Sequence, residues 1–244
     1  MKKKNKIDLS IVIPCYNEKN NIPLVVKRFV EIKPENINSE LVLVDNGSTD
    51  NSKAVIQKFA DRHSFIKIVK IKKNIGYGSG VWRGLKSSKG NFLCWTHADM
   101  QTDVKDAIGA YNIINLQPNP KKCFVKGNRK KRPLFDSFFA FGMSLFETAI
   151  LGKYLYDINA QPNLFHRDFL KCIKTPPNDF SFDLYFYYMA KKMNFNIIRF
   201  PVSFRPRVHG QSSWNTGIKE KIKFIKRTME FTFKLKKIIG GAND

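Results

Sequence analysis

Short apolar runs alternate with longer stretches of helical periodicity through the first half of the chain. Leu9-Ser10-Ile11-Val12-Ile13 is a strand-length run stopped by Pro14, and apolar positions recur at helical spacing from Glu18 to about Ile32. Leu41-Val42-Leu43-Val44 is continuously apolar, as a strand buried on both faces requires. A helix over Ala54 to Phe59, a strand over Phe65 to Ile71, a helix near Trp82, a strand over Phe92 to Thr96 and a helix from Asp103 to about Leu116 continue the pattern. Strand and helix thus alternate, which predicts an α/β fold with a mainly parallel sheet and helices on both faces.

Beyond Leu116 the alternation lapses. A turn at Gln117-Pro118-Asn119-Pro120 precedes a strand over Lys122 to Lys126, and then come an aromatic-rich helix over 134–152, a helix from Phe182 to Met193 and a strand from Phe195 to Pro201. The organisation expected is one domain over 1–215, in halves 1–130 and 131–215, followed by a basic amphipathic helix over 216–244. In that last helix Ile218, Ile222, Ile225, Met229 and Leu235 fall near one face, and Lys219, Lys221, Lys223, Lys226, Arg227, Lys234, Lys236 and Lys237 cover much of the rest. Such a helix suits a membrane interface, and it equally suits packing on the core with a solvated charged face. Phe135, Phe138, Phe139, Phe141 and Phe146 carry the same two readings, core or lipid-facing groove.

Composition narrows the partners. With 43% apolar residues, 244 residues bury a real core. Lys and Arg number 43 against 20 Asp and Glu, a net +23 that predicts an anionic partner: nucleic acid, an anionic membrane surface or a phosphorylated substrate. Cys15, Cys94, Cys123 and Cys172 have no paired spacing, which argues against zinc or a disulfide framework and for a reduced, cytoplasmic setting. Leu9 to Ile13 is too short for a signal-peptide core, and the most apolar stretch, Leu134 to Tyr156, is interrupted by Asp136, Glu147 and Lys153. Membrane contact is therefore expected to be peripheral, at the inner face of the cytoplasmic membrane.

The chemistry concentrates after Phe92-Leu93-Cys94-Trp95, where His97, Asp99, Gln101 and Asp103 follow the C-terminal end of a strand. Open α/β sheets bind ligands at that edge. In an extended segment these four residues share one side. Oxygen donors there suit Mg²⁺ or Mn²⁺ bridged to a substrate diphosphate. Asp103 reads as the cap of the following helix, whereas no cap explains Asp99. Asp45 ends its own strand at the same edge and suits ribose hydroxyls or a base N–H, with an Asx-turn or helix cap as the alternative that Asp50 takes. Gly76-Tyr77-Gly78-Ser79-Gly80 lacks the sixth-place glycine of a dinucleotide fingerprint, since Val81 stands there, and follows the third strand. Close backbone packing near a nucleotide, or a tight turn, is the better reading.

Four motifs in order, Ile13-Pro14-Cys15-Tyr16-Asn17-Glu18, Val44-Asp45-Asn46-Gly47-Ser48-Thr49-Asp50, Asn74-Ile75-Gly76-Tyr77-Gly78 and Ala98-Asp99-Met100-Gln101, resemble the family 2 glycosyltransferases of the GT-A fold. Within them the chain is similar to the polyprenyl-phosphate (dolichyl-phosphate sugar synthase-like) branch. The resemblance implies an inverting transfer of a sugar from a nucleoside-diphosphate sugar to a polyprenyl phosphate, with 1–130 binding the donor and 131–215 the acceptor. Pro14, Tyr16, Glu18, Asp45, Gly76, His97, Ala98 and Asp99 would form the nucleotide-sugar site, and Asp99 with Gln101 would approach the Mg²⁺ or Mn²⁺ ion. His97 replaces the family's first carboxylate, and Asn46 replaces a common Asp.

Gly127-Asn128-Arg129 resembles the family's Gly-Ser-Arg, and Arg207-Val208-His209-Gly210-Gln211-Ser212 its Arg-x-x-Gly-x-Ser loop over the diphosphate. The resemblance assigns phosphate and acceptor contacts to Arg129, Asn159, Gln161, Arg167, Arg207 and Ser212. Phe182-Asp183-Leu184-Tyr185 resembles the Phe-Asp-x-Glu that supplies a base, with Tyr185 in place of the Glu. The catalytic set implied is Asp99, Asp183, Arg129 and Arg207. A hydroxyl acceptor would need Asp183 as base and a phosphate acceptor would not. A nucleic-acid partner is suggested by charge alone, without a binding motif, and none is expected.

Overall fold

The computed structural model describes residues 6–130, 134–210 and 218–240, and within them the side chains other than those of 134–140, 218, 221, 239 and 240. Seven strands form one sheet in the order β3-β2-β1-β4-β6-β5-β7: β1 is Leu9–Cys15, β2 Ser39–Asp45, β3 Ile66–Lys70, β4 Phe92–Trp95, β5 Cys123–Lys130, β6 Asn163–His166 and β7 Asn196–Ser203. Pairing is parallel except at β6, which runs antiparallel to both β4 and β5. The helices are α1 Ile22–Ile32, α2 Ser52–Arg62, α3 Tyr77–Ser87, α4 Lys105–Asn115, α5 Leu134–Leu151, α6 Ser181–Lys192 and α7 Ile218–Gly240.

Alternation along the strands divides the core in two. Leu9, Ile11 and Ile13 of β1 with Leu41 and Leu43 of β2 meet α1, α2 and α4 through Phe29, Ile56 and Ile108. Val12, Val42 and Val44 point the other way, toward Val81 and Leu85 of α3, Phe182 and Phe186 of α6 and Leu235 of α7. Helices cover both faces, so each central strand has its two side-chain rows buried, as its unbroken apolar sequence foretells.

The sequence reading missed β6, because Asn163-Leu164-Phe165-His166 carries a polar residue at each end of a two-residue apolar core. It also stopped the first strand at Pro14. In the structure β1 runs on to Cys15, since β4 ends beside Val12 and the imino nitrogen of Pro14 faces no β4 ladder partner. The C-terminal helix is also corrected. Its buried stripe is Thr228, Thr232 and Leu235, with Phe231 partly buried beside it, while Ile222 of the expected apolar face is 57% exposed. Two threonines lie inward because each hydroxyl donates to the carbonyl one turn back, Thr228 to Phe224 and Thr232 to Thr228. The packed-helix reading therefore holds for this stripe. The boundary at 215/216 and the side chains of Phe135, Phe138 and Phe139 lie outside the described residues.

Candidate functional site

A cavity of about 1160 Å³ opens at the C-terminal edge of the sheet. Its walls come from the segments after β1, β2 and β4, the turn before α3, the 157–161 loop, the N-terminus of α6, the segment after β7, and helices α5 and α7. Topology explains the site: the strand order reverses at β1, between β2 and β4, and these parallel strands leave their loops at one edge there.

The segment after β4 does not stay extended. Met100 takes φ 59°, and the bend sends residues 97, 99 and 101 to the cavity while turning Asp103 away. Asp103 instead accepts from Lys105 N–H at 2.9 Å, from the position before the N-cap residue Val104 of α4, and pairs with Arg28, which corrects the four-residue alignment. Asp99 is 4% exposed: its Oδ1 accepts from Gln101 N–H at 3.1 Å, and its Oδ2 meets Arg207 Nη2 at 2.9 Å. Gln101 Nε2 donates to the Arg205 carbonyl, and Arg205 N–H returns a bond to the Gln101 carbonyl at 2.8 Å. These contacts strap the segment after β7 across the mouth of the site.

Glu18, at the opposite lip, accepts from Asn21 Nδ2 at 2.6 Å, while the amide also reaches the His209 carbonyl at 3.3 Å. Burial, reinforced by the charge of Asp99, pushes the Glu18 carboxyl up. Tyr16 is 45% exposed on this lip. Asn17 ties the first two loops together by accepting from the N–H groups of Thr49 and Asp50. Gly76 has φ 128°, and a Cβ there would stand 2.2 Å from the Asn178 carbonyl oxygen, so close backbone approach is what the glycine provides.

Asp183 sits at the start of α6 with 2% exposure and lines the cavity. Its Oδ1 accepts from Trp95 Nε1 at 3.1 Å, Gln161 Nε2 at 2.8 Å and Asn163 Nδ2 at 3.2 Å. Burial pushes its carboxyl up, and the nearby Lys126 and His97 draw it back down. Lys126, fully buried on β5, donates to the Ala160 carbonyl and to Asn163 Oδ1, and burial lowers its ammonium to about 7. Arg129 also lines the cavity, with Nε donating to Asp157 Oδ1 at 2.9 Å and its backbone N–H to Oδ2 at 3.0 Å. The loop carrying Asp157 reaches β5 because Gly127 has no side chain, and a Cβ there would fall 2.1 Å from the Gln161 oxygen.

The structure thus brings Pro14, Tyr16, Glu18, Gly76, His97, Ala98, Asp99, Gln101, Arg129, Asn159, Gln161, Asp183 and Arg207 to one cavity. Two expected residues stand elsewhere. Asp45 is buried outside the lining, with Oδ1 accepting from Ser48 N–H, three residues on, at 3.0 Å. Arg167 donates to the carbonyls of Ser88 and Lys89 at the opposite edge of the sheet, because antiparallel β6 carries it there. Ser212 lies outside the described residues. Lys126 and Glu147 were given no role from the sequence; a lysine directly after the apolar run Cys123-Phe124-Val125 and a glutamate inside an apolar helix were the available signals.

The oxygen donors suit a hard cation, with one carboxylate and one side-chain amide presented where a diphosphate could complete the shell. Among the described residues no group of three or more His, Cys, Asp or Glu gathers as a metal cage. Arg207 occupies Asp99 as its counter-charge.

Solved structures share this fold. Glucosyl-3-phosphoglycerate synthase from Mycobacterium tuberculosis, in complex with Mn²⁺, UDP and glucosyl-3-phosphoglycerate, superposes with a TM-score of 0.72 at 14% identity over 94% of this chain and 80% of that one. The mannosyltransferase PcManGT from Pyrobaculum calidifontis, with GDP-Man and Mn²⁺, gives 0.64 at 17% identity over 85% of this chain and 59% of that one. The fold is GT-A, a sheet with helices on both faces. The glycosyl transferase family 2 model matches residues 10–155, and the chain belongs to that family.

It is 25% identical over 222 residues to a dolichyl-phosphate beta-glucosyltransferase of Dictyostelium discoideum, covering 82% of this chain and 68% of the relative. A dodecaprenyl-phosphate galacturonate synthase of Rhizobium johnstonii is 24% identical over 170 residues, 69% of this chain and 50% of that protein. The chain thus spans about two thirds of the first relative and half of the second.

Proposed function

We propose that the protein is an inverting glycosyltransferase that moves a sugar from a nucleoside-diphosphate sugar to a polyprenyl-phosphate acceptor at a membrane surface. The observation that carries this reading is the placement of Asp99, Arg207, Arg129 and Asp183 around one cavity in a family 2 chain with relatives named for dolichyl phosphate and dodecaprenyl phosphate. Asn46 and the loops after β1 and β2 suit the nucleoside, and the cavity is large enough for donor and acceptor head group together.

Asp99 and Gln101 would hold a Mg²⁺ or Mn²⁺ ion, which when bound supplies charge neutralisation for the departing diphosphate. Arg207 leaves Asp99 for the diphosphate in this reading, and its guanidinium fork suits phosphate oxygens where a lysine would not. Arg129, held in place by Asp157, presents its charge on the acceptor side. An acceptor phosphate is already ionised and attacks the anomeric carbon opposite the leaving group without a base. Asp183, buried with three donors on one oxygen, then orients Gln161 and Trp95. A sugar-hydroxyl acceptor is the second reading, and the cavity-lining position of Asp183 is what favours it.

Contact with the membrane is read from α5 and α7. Phe141 and Leu145 are 57% and 61% exposed, Ile222, Phe233 and Ile238 are also open, and Phe146 meets Phe233 edge-on at 5.8 Å across the two helices. Exposed Lys223, Lys226, Lys234, Lys236 and Lys237 share α7 with that apolar strip. No helix among the described residues is long and apolar enough to cross a membrane.

The test is Asp99→Ala, measured both for radiolabelled-sugar transfer and for nucleoside-diphosphate binding. Turnover should fall at least ~10³-fold, about 4 kcal/mol of transition-state stabilisation, with binding weakened far less. Unchanged turnover removes the assignment.

A further inference from the structure

One wall of the cavity is built by helices alone. Ser144 and Glu147 come from α5, Ser181 and Leu184 from α6, and Phe224 and Thr228 from α7, each pair one helical turn apart. Glu147 is 2% exposed, and its Oε2 has no hydrogen-bond partner; Ser181 Oγ is likewise buried and unpartnered. Burial alone pushes the Glu147 carboxyl up to about 8. The Thr228 hydroxyl is already committed to the Phe224 carbonyl. Groups left unpaired in a folded interior are costly unless something else in the cavity satisfies them.

The described side chains of the wall argue against two occupants. No cation among the described residues lines it, since the neighbouring Arg227 is held by Asp179 and stacks over the rings of Phe180 and Phe224, so it does not suit a phosphate. A hydrocarbon chain would bury Glu147 and Ser181 without partners. A sugar ring satisfies both sides: its C–H face lies on Leu184, and its hydroxyls reach a carboxyl and a serine. A neutral carboxyl can donate to one hydroxyl oxygen and accept from the next.

We propose that this helical wall is the subsite for a sugar ring, with Glu147 the residue that reads one of its hydroxyls. The inference rests on the transferase reading for where the ring comes from, either the donor's sugar or a glycan acceptor, and the wall's chemistry is common to both.

Calorimetry on the full chain separates them. In one arm UDP and GDP are compared, with Mn²⁺, against UDP-glucose, UDP-galactose, UDP-N-acetylglucosamine and GDP-mannose; in the other, methyl glycosides of the same sugars are titrated with and without the diphosphate. Glu147→Leu should weaken a sugar-bearing ligand at least tenfold in one arm while leaving diphosphate affinity within twofold, and Glu147→Gln should retain most of the affinity. A loss in the first arm assigns the donor's sugar and a loss in the second assigns an acceptor glycan. Thermal melting shows that each variant is folded.

Equal affinity of Glu147→Leu and wild type in both arms overturns the proposal, as does an equal loss for the sugar-free diphosphate. If wild type binds no nucleoside diphosphate at all, the transferase reading fails instead, and the glycoside arm alone decides the subsite.

Discussion

Two buried ionisable side chains shape how this protein responds to pH. Glu147 has its folded carboxyl raised to about 8, so it binds a proton in the folded state that it loses when unfolded. Its contribution is fully present below the ordinary glutamate range and is lost as pH rises through about 8. Lys126 has the opposite sign: its ammonium is lowered to about 7, so its burial cost is felt below that pH and relieved above it. Glu147→Leu removes the first effect only. We expect the variant to melt roughly 3–6 °C above wild type at pH 8 and to lose most of that advantage at pH 5, as scanning calorimetry would read. An equal gain at both pH values would show that packing, not charge, is responsible.

Asp183 makes a second residue-scale prediction. Asp183→Asn keeps the shape of the side chain and removes its capacity as a base. With a phosphate acceptor, transfer should persist within about tenfold, the loss arising from the disturbed Trp95 and Gln161 contacts. Loss on the ~10³-fold scale, restored toward high pH with a more acidic acceptor, would move the assignment to a hydroxyl acceptor. The sequence made Asp183 visible through its motif. It could not show the donors around it, because Trp95, Gln161 and Asn163 lie 88, 22 and 20 positions away and meet only in the folded sheet.

Among the elements, α5 and α7 carry the membrane reading. A basic side chain near anionic lipid contributes on the order of 1 kcal/mol, so the lysines of α7 suffice together with a modest apolar contact. Phe141→Ser with Leu145→Ser should cut cosedimentation with phosphatidylglycerol vesicles at least ~fivefold without changing nucleotide binding, and raised salt should lower it further. Binding that ignores both would confine the two helices to a packing role. What could be read of the elements followed how strongly each is patterned: β1, β2 and β4 are near-unbroken apolar runs, whereas β6 offers two apolar residues between Asn163 and His166. The face of α7 was misjudged because Thr228 and Thr232 satisfy their hydroxyls within the helix and so enter the core, leaving Ile222 outside.

At the scale of the whole molecule the reversal of strand order at β1, between parallel β2 and β4, gathers residues from distant segments of the chain at one sheet edge. That edge was legible because Asp99 and Gln101 follow β4 directly. Asp45 and Arg167 were misplaced for lack of two facts that sequence hides: a loop turning in on Ser48, and an antiparallel strand that reverses the chain. A nucleoside diphosphate bound with Mn²⁺ at 100 times its Kd should stabilise the chain by about 2.7 kcal/mol, a rise of roughly 5–10 °C in Tm.

The most direct test follows radiolabel from a panel of nucleoside-diphosphate sugars into an organic phase containing a polyprenyl phosphate, with wild type and Asp99→Ala side by side. The proposed account predicts metal-dependent label in the lipid phase for wild type with at least one donor, and label at background for the variant. No lipid-phase label with any donor, while a sugar-hydroxyl acceptor is labelled instead, would contradict it.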